Sequence, residues 1–143
     1  MEPDERIARF GAARFAVLAT HGPEGRIDLV PCCFALVAPS APGAGPTVVS
    51  AVDHKPKRHQ RLARLDNIGA DDRVSMVVDE RSDEWDRLWW VRLEGRASVV
   101  TAGPVRDEAI AALVAKYPQY QQQPPAGPAV VIEPTRWQGW SAT

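Results

Sequence analysis

The chain has 143 residues, 45% of them apolar and 24% charged, with 17 basic and 18 acidic side chains for a formal net charge of −1. That length reads as a single domain, residues 1–143, with a real hydrophobic core, and the near-neutral balance removes the electrostatic footprint of a nucleic-acid binder. No apolar run approaches the roughly 18 residues of a membrane span and the acids of MEPDERIARF are wrong for a secretory signal, so neither nucleic acid nor membrane is expected as a partner and a cytoplasmic location is.

Pro3 and the acids near the start, followed by Ile7 and Phe10 three apart, predict a short amphipathic helix over residues 3–13. Residues 15–20 and 27–37 are apolar runs on either side of HGPEG, the pattern of a hairpin. The proline- and glycine-rich stretch 38–45 is a loop, and residues 47–52 form a third strand. Leu62, Leu65 and Ile68 then recur at helical spacing up to Asn67 and Gly69. A fourth strand follows over 73–79. Residues 88–101, LWWVRLEGRASVVT, form a long strand, or two strands, bent at Gly95, where a glycine commonly marks a bulge.

Residues 106–117 form a helix with Ile110, Leu113, Val114 and Tyr117 on one side and Pro118 to stop it, and QQQPPAGP cannot continue it. Residues 129–133 are the last strand, and PTRWQGWSAT is a tail pinned by Trp137 and Trp140. Strands and helices do not alternate as they do around a doubly wound parallel sheet. The expected fold is mainly β (α+β), a small antiparallel barrel flanked by short helices.

Cys32 and Cys33 are adjacent in an apparent strand, so their side chains point to opposite faces, a placement that rarely gives a disulfide or a shared metal; they read as two small, buried or half-buried reduced thiols, with a redox pair as the alternative. The motifs CxxC, HExxH, GxSxG and GxxxxGK are missing, and no metal-ligand spacing stands out. Any chemistry therefore belongs to a cofactor, with the protein supplying position and electrostatics. Lys55, Lys57 and Arg58 sit where a strand ends and a helix can begin. They read either as a solvated turn or as the grip for a small phosphorylated ligand. His54 and His59 flank them and read as surface or cofactor-adjacent polar residues, with a proton donor as the alternative. Trp85, Trp89 and Trp90 form an aromatic cluster that reads as core or dimer-interface packing or, alternatively, as a ring-stacking or substrate wall.

Three blocks carry a family likeness: VVSAVDHKPKRHQRLARLDNIGADDRVSMVVDE, DEWDRLWWVRLEGRA and VVIEPTRWQGWSA. Over residues 6–142 the chain resembles the split β-barrel flavoproteins of the pyridoxamine 5'-phosphate oxidase type, and more narrowly their actinobacterial branch that uses the deazaflavin coenzyme F-420. The resemblance implies a six- to seven-stranded split barrel and a homodimer with the cofactor in a groove between protomers. It implies that Lys55, Lys57 and Arg58 hold the cofactor phosphate, and that the ring lies along Val30, Pro31, Cys32 and Cys33 and along Ser50, Ala51 and Val52. The partner chain would close the site with Asp79, Arg81, Trp89 or Trp90.

Flavin-binding relatives carry a basic residue at the end of the second strand, whereas IDLVPCCFALV has none, which favours F-420 over FMN. The groups needed for a pyridoxal phosphate substrate are also missing. The implied function is hydride transfer between F-420 and an unsaturated small-molecule substrate. The alternatives are an FMN-dependent oxidase or reductase of the same fold, or a non-catalytic cofactor- or haem-binding protein.

Overall fold

The computed structural model describes residues 1–53 and 62–143. Along the chain run α1 (Pro3–Ala12), β1 (Ala16–His21), β2 (Ile27–Cys32), β3 (Ala35–Val37), β4 (Thr47–Ala51), α2 (Ala63–Ala70), β5 (Arg73–Glu80), β6 (Trp89–Val100), α3 (Pro104–Lys116), α4 (Pro118–Gln122) and β7 (Ala129–Ser141). The seven strands form one sheet in the order β2-β1-β5-β6-β7-β4-β3, with every neighbouring pair antiparallel. Among the described residues no helix is long and apolar enough to cross a membrane.

β2 and β3 stand at the two edges of that order, yet only Cys33 and Phe34 separate them in the chain. Three extended steps reach no more than about 11 Å, so the sheet must curl until its edges nearly meet. The result is a barrel that stays open along one seam. This corrects the sequence expectation of a single strand over 27–37. An unbroken strand would keep its whole length beside β1, whereas the chain switches edges to pair Ala35–Val37 with β4.

Alternation along the strands builds two cores. Leu18, Val48, Met76, Val78, Val91, Leu93, Val130 and Ile132 point into the barrel, where Phe10 of α1 and Phe34 of the seam join them. The Phe10 ring meets Phe34 at 4.9 Å and Trp137 edge-on at 5.1 Å between centroids, so α1 plugs one end. The intervening residues Ala35, Val49, Ala129 and Val131 face the other way and pack under Ala109, Leu113 and Tyr117. β4 and the first part of β7 are thus covered on both faces.

Gly95 has the predicted role. Glu94 pairs with Arg136 and Gly95 with Pro134, which leaves Thr135 as the extra residue of a bulge on β7. A Cβ on Gly95 would stand 2.6 Å from the Glu133 carbonyl oxygen. The bulge also corrects the expected tail. Beyond Pro134 the chain stays in the ladder with β6 as far as Ser141, because a proline is tolerated at a bulge. Pro118 stops α3 as expected, and at once starts the short α4 at its first position.

Candidate functional site

Among the described residues, the seam leaves backbone edges without strand partners. There β2 pairs with β1 alone, and the pairing of β3 with β4 stops at Val49, so the β4 edge from Ser50 onward faces the seam. Here lies an open cleft of about 430 Å³, lined by Phe15, Pro31, Cys32, Cys33, Ala51, Val52, Asp53, Leu62, Arg64 and Tyr120. That volume is in the range of small-molecule sites. A second cleft, of about 450 Å³, lies between β5 and β6 around His21, Arg73, Glu94 and Arg96. Its cations are already neutralised, Arg73 by Asp71 at 2.6 Å and Arg96 by Asp72 at 2.7 Å.

The structure brings together most of the residues expected to lie along the ring. Pro31, Cys32, Cys33, Ala51 and Val52 line the cleft. Val30 is turned toward the barrel core, and Ser50 is buried behind the wall, where its hydroxyl donates to the Cys33 carbonyl at 2.7 Å. That bond ties β4 to the joint across the seam. The two cysteines are free and face different cores, Cys32 the barrel and Cys33 the α3 side. Burial pushes the Cys32 thiol up to about 11, so it is protonated at neutral pH and not a ready nucleophile.

Asp79 and Trp89 stand elsewhere in this chain. Asp79 is exposed on β5 and accepts from Arg81 Nε at 2.9 Å. Trp89 donates from Nε1 to Glu80 at 2.7 Å and lies under the Arg9 guanidinium. Neither lines the cleft. Lys55, Lys57 and Arg58 lie outside the described residues. Their segment, 54–61, joins Asp53 to Leu62, and both of these line the cleft.

Five lining residues were not expected from the sequence, the apolar Phe15 and Leu62 and the polar Asp53, Arg64 and Tyr120. Arg64, on the first turn of α2, brings a guanidinium to the cleft and makes no hydrogen bond or ion pair with another described residue. Every other described arginine has such a partner. Asp53 and Tyr120 form a pair in which the phenol donates to Asp53 Oδ1 at 2.7 Å. α2 is held in place by buried Asn67, whose Nδ2 donates to Thr20 Oγ1 at 2.9 Å and to Asp28 Oδ2 at 2.7 Å. Those two bonds fasten the helix to the β1–β2 hairpin and so set the height of Arg64.

Tyr117 closes the other side of the joint. The Phe34 N–H donates to its hydroxyl at 3.0 Å, and the hydroxyl faces the carbonyls of Arg14 at 2.8 Å and Phe34 at 2.9 Å. Lys116 donates to the Ala13 carbonyl at 2.6 Å and sits 3.8 Å above the Phe34 ring. Burial, with Arg14 beside it, pushes that amine down to about 8. Among the described residues no group of three or more His, Cys, Asp or Glu side chains could hold a metal ion.

A family model described as pyridoxamine 5'-phosphate oxidase matches residues 3–141. No curated protein matches the chain. Solved structures do. The conserved hypothetical protein Rv2991 from Mycobacterium tuberculosis superposes with a TM-score of 0.74 at 21% identity, covering 99% of this chain and 86% of that one. An FAD-binding protein from Mesorhizobium loti gives 0.67 at 18% identity, over 97% and 92% of the two chains. The haem storage protein HutZ from Vibrio cholerae gives 0.66 at 15% identity, over 99% and 95%. At these identities the likeness is one of fold, a split barrel that proteins of different ligand chemistry share. With the family model spanning all but the ends of the sequence, the chain belongs to the pyridoxamine 5'-phosphate oxidase family.

Proposed function

We propose that the protein is an F-420-dependent oxidoreductase that works as a homodimer and acts on an unsaturated small-molecule substrate. The observation that carries this reading is the seam cleft itself, with apolar walls for a flat ring and an unpartnered guanidinium, Arg64, among the described residues. The donor set fits an anionic ring cofactor. The strand edges at 30–33 and 50–52 offer backbone groups to the polar rim of a ring, except that Pro31 has no N–H to give. Arg64 holds the anionic end by charge-assisted, bidentate hydrogen bonds, and Lys55, Lys57 and Arg58 of the adjoining segment add to it. When bound, the deazaflavin supplies the hydride-carrying carbon. The protein's part is to orient the ring and to keep water off the apolar wall of Phe15, Pro31 and Val52.

The homodimer rests on the outer face of the sheet. Phe15, Ile27 and Leu29 are 67%, 61% and 68% exposed, and the pairing of Val17 with Pro31 and of Ala19 with Leu29 places them on one side. A contiguous apolar face of this kind invites a protein partner. Phe15 and Pro31 belong both to this face and to the cleft, so a second copy seated there would border the ligand and could bring Asp79, Arg81, Trp89 or Trp90 to it.

The FAD-binding and haem-storing neighbours support the two other readings, a flavin enzyme and a non-catalytic binding protein. Titration of the purified protein with F-420, FMN, FAD and haem separates the three. Micromolar binding of F-420, and weaker binding of the others, is the expected outcome. Absence of F-420 binding at that level sinks the proposal.

A further inference from the structure

One wall of the cleft is polar, and it is built rather than incidental. Tyr120 Oη donates to Asp53 Oδ1 at 2.7 Å, and both residues line the cleft beside Cys33. Each is held from behind. The Tyr120 ring packs edge-on against Tyr117 at 5.6 Å between centroids. The Asp53 carbonyl accepts from the Ala126 N–H, and Val52 exchanges backbone hydrogen bonds with Gly127 and Pro128. Arg106 of α3 donates to the carbonyls of Pro125 and Gly127, so the loop behind Asp53 is fastened to the helix layer.

The chemistry of this pair is that of an acceptor. A phenol that gives its proton to a carboxylate keeps its oxygen lone pairs for a donor arriving from the cleft. Burial, and then the carboxylate, push the Tyr120 phenol well above its ordinary value, so it does not ionise near neutrality. Such a wall attracts hydroxyl or N–H groups and repels phosphate. Its position is equally specific. In the chain Asp53 stands between Val52, part of the apolar wall, and the basic segment 54–61. A cofactor built in the covalent order ring, polyol chain, phosphate has its hydroxyls between those two ends.

We propose that Asp53 and Tyr120 form the subsite that reads the hydroxyls of a ribityl-type polyol chain, and so select a ring–polyol–phosphate ligand over a bare ring or a flat macrocycle. This rests on the cofactor reading above and adds to it the residues that recognise the linker. The test uses the full chain and Tyr120→Phe and Asp53→Ala variants whose folding is verified by thermal unfolding. Binding is measured for F-420, for the deazaflavin nucleoside that keeps the ribityl chain, and for its analogue with a methyl group in place of that chain.

Each variant is expected to lose roughly tenfold affinity for the two ribityl compounds and to bind the methyl analogue within about twofold of the wild type. An equal loss for all three compounds means that the pair only props up α4, and that result overturns the assignment. So does an unchanged affinity for all three. If the wild type binds none of the compounds, the cofactor reading fails and this subsite falls with it, an outcome distinct from failure of the subsite alone.

Discussion

Replacing Tyr117 by Phe removes one oxygen atom from the joint of the barrel, and the cost can be worked from its three contacts. Phe34 is 0% exposed and Tyr117 8%. The lost hydroxyl leaves the Phe34 N–H without its acceptor at 3.0 Å, and an orphaned buried donor costs about 1–3 kcal/mol. The single hydroxyl proton is shared between the Arg14 and Phe34 carbonyls, and losing that bond costs about 0.5–1.5 kcal/mol more. The ring keeps its volume, so no cavity adds to the sum.

The expected loss is therefore about 1.5–4.5 kcal/mol, a large share of the ~5–15 kcal/mol by which such a domain is stable. With a urea slope of about 2 kcal/mol/M, the unfolding midpoint should fall by roughly 0.7–2.3 M at unchanged slope, and the Phe34 amide should exchange faster with deuterium. A midpoint shift below about 0.3 M, with Phe34 still protected, would refute the account of Tyr117 as the clamp of the seam.

Asn67→Ala should destabilise by about 1–3 kcal/mol, since it strips the buried partner from Thr20 and Asp28. Equilibrium urea unfolding reads this directly, and a change under about 0.5 kcal/mol would contradict it. Arg64→Ala should weaken F-420 binding by roughly 10- to 100-fold, as expected for one lost charged hydrogen-bonding group, while the urea midpoint stays in place. The double replacement of Lys55 and Lys57 by Ala should add a loss of similar size, and unchanged affinity in all of these variants would put the phosphate elsewhere. Alkaline stability tests the Cys32 burial. Between its ordinary 9.0 and the folded value of about 11, the unfolded chain has lost the thiol proton and the folded chain keeps it, so rising pH favours unfolding. Lys116 acts with the opposite sign between about 8 and 10.5, so the observable is the difference between wild type and Cys32→Ala, which should move in favour of the variant as pH climbs through that window. A flat difference would contradict the burial.

Much of the fold was legible in the sequence because local patterns and tertiary packing agree there. α1, the β1–β2 hairpin, β5 and the stop of α3 at Pro118 all follow from periodicity and punctuation, and Gly95 marked its bulge. The two misread segments are places where a global constraint overrides a local pattern. Residues 27–37 read as one strand because Cys33 and Phe34 are as compatible with a strand as their neighbours. What divides them is the closure of the sheet, which no local window contains. Residues 134–141 read as a tail because of Pro134 and Gly139, yet a bulge on β7 absorbs the first and pairing with β6 carries the rest.

The candidate cleft was half legible for the same reason. The strand residues from Pro31 to Cys33 and Ala51 to Val52, which the family likeness singles out, do line it. Arg64 looked like one more helix arginine, and nothing in its neighbourhood says that the other described arginines have partners. Asp53 and Tyr120 lie 67 residues apart and meet only through the fold.

The cleft is a consequence of topology before it is a consequence of side chains. If 27–37 continued as one strand, Cys33 and Phe34 would sit in a ladder and the β4 edge at 50–52 would have no seam to face. The break that moves β3 to the far side of the sheet exposes both edges at once, and two clamps hold the gap at a fixed width. Ser50 bonds to the Cys33 carbonyl on the cleft side, and Tyr117 bonds to Phe34 on the core side. Stability and ligand affinity are therefore coupled at the joint and separable elsewhere. A change at Tyr117 or Ser50 should lower both together, because it alters the spacing of the strand edges, whereas a change at Arg64 should remove only the proposed ligand contact, from a helix whose anchor at Asn67 is untouched. Parallel measurement of unfolding midpoints and cofactor affinities across these positions separates the residues that shape the seam from those that hold what enters it.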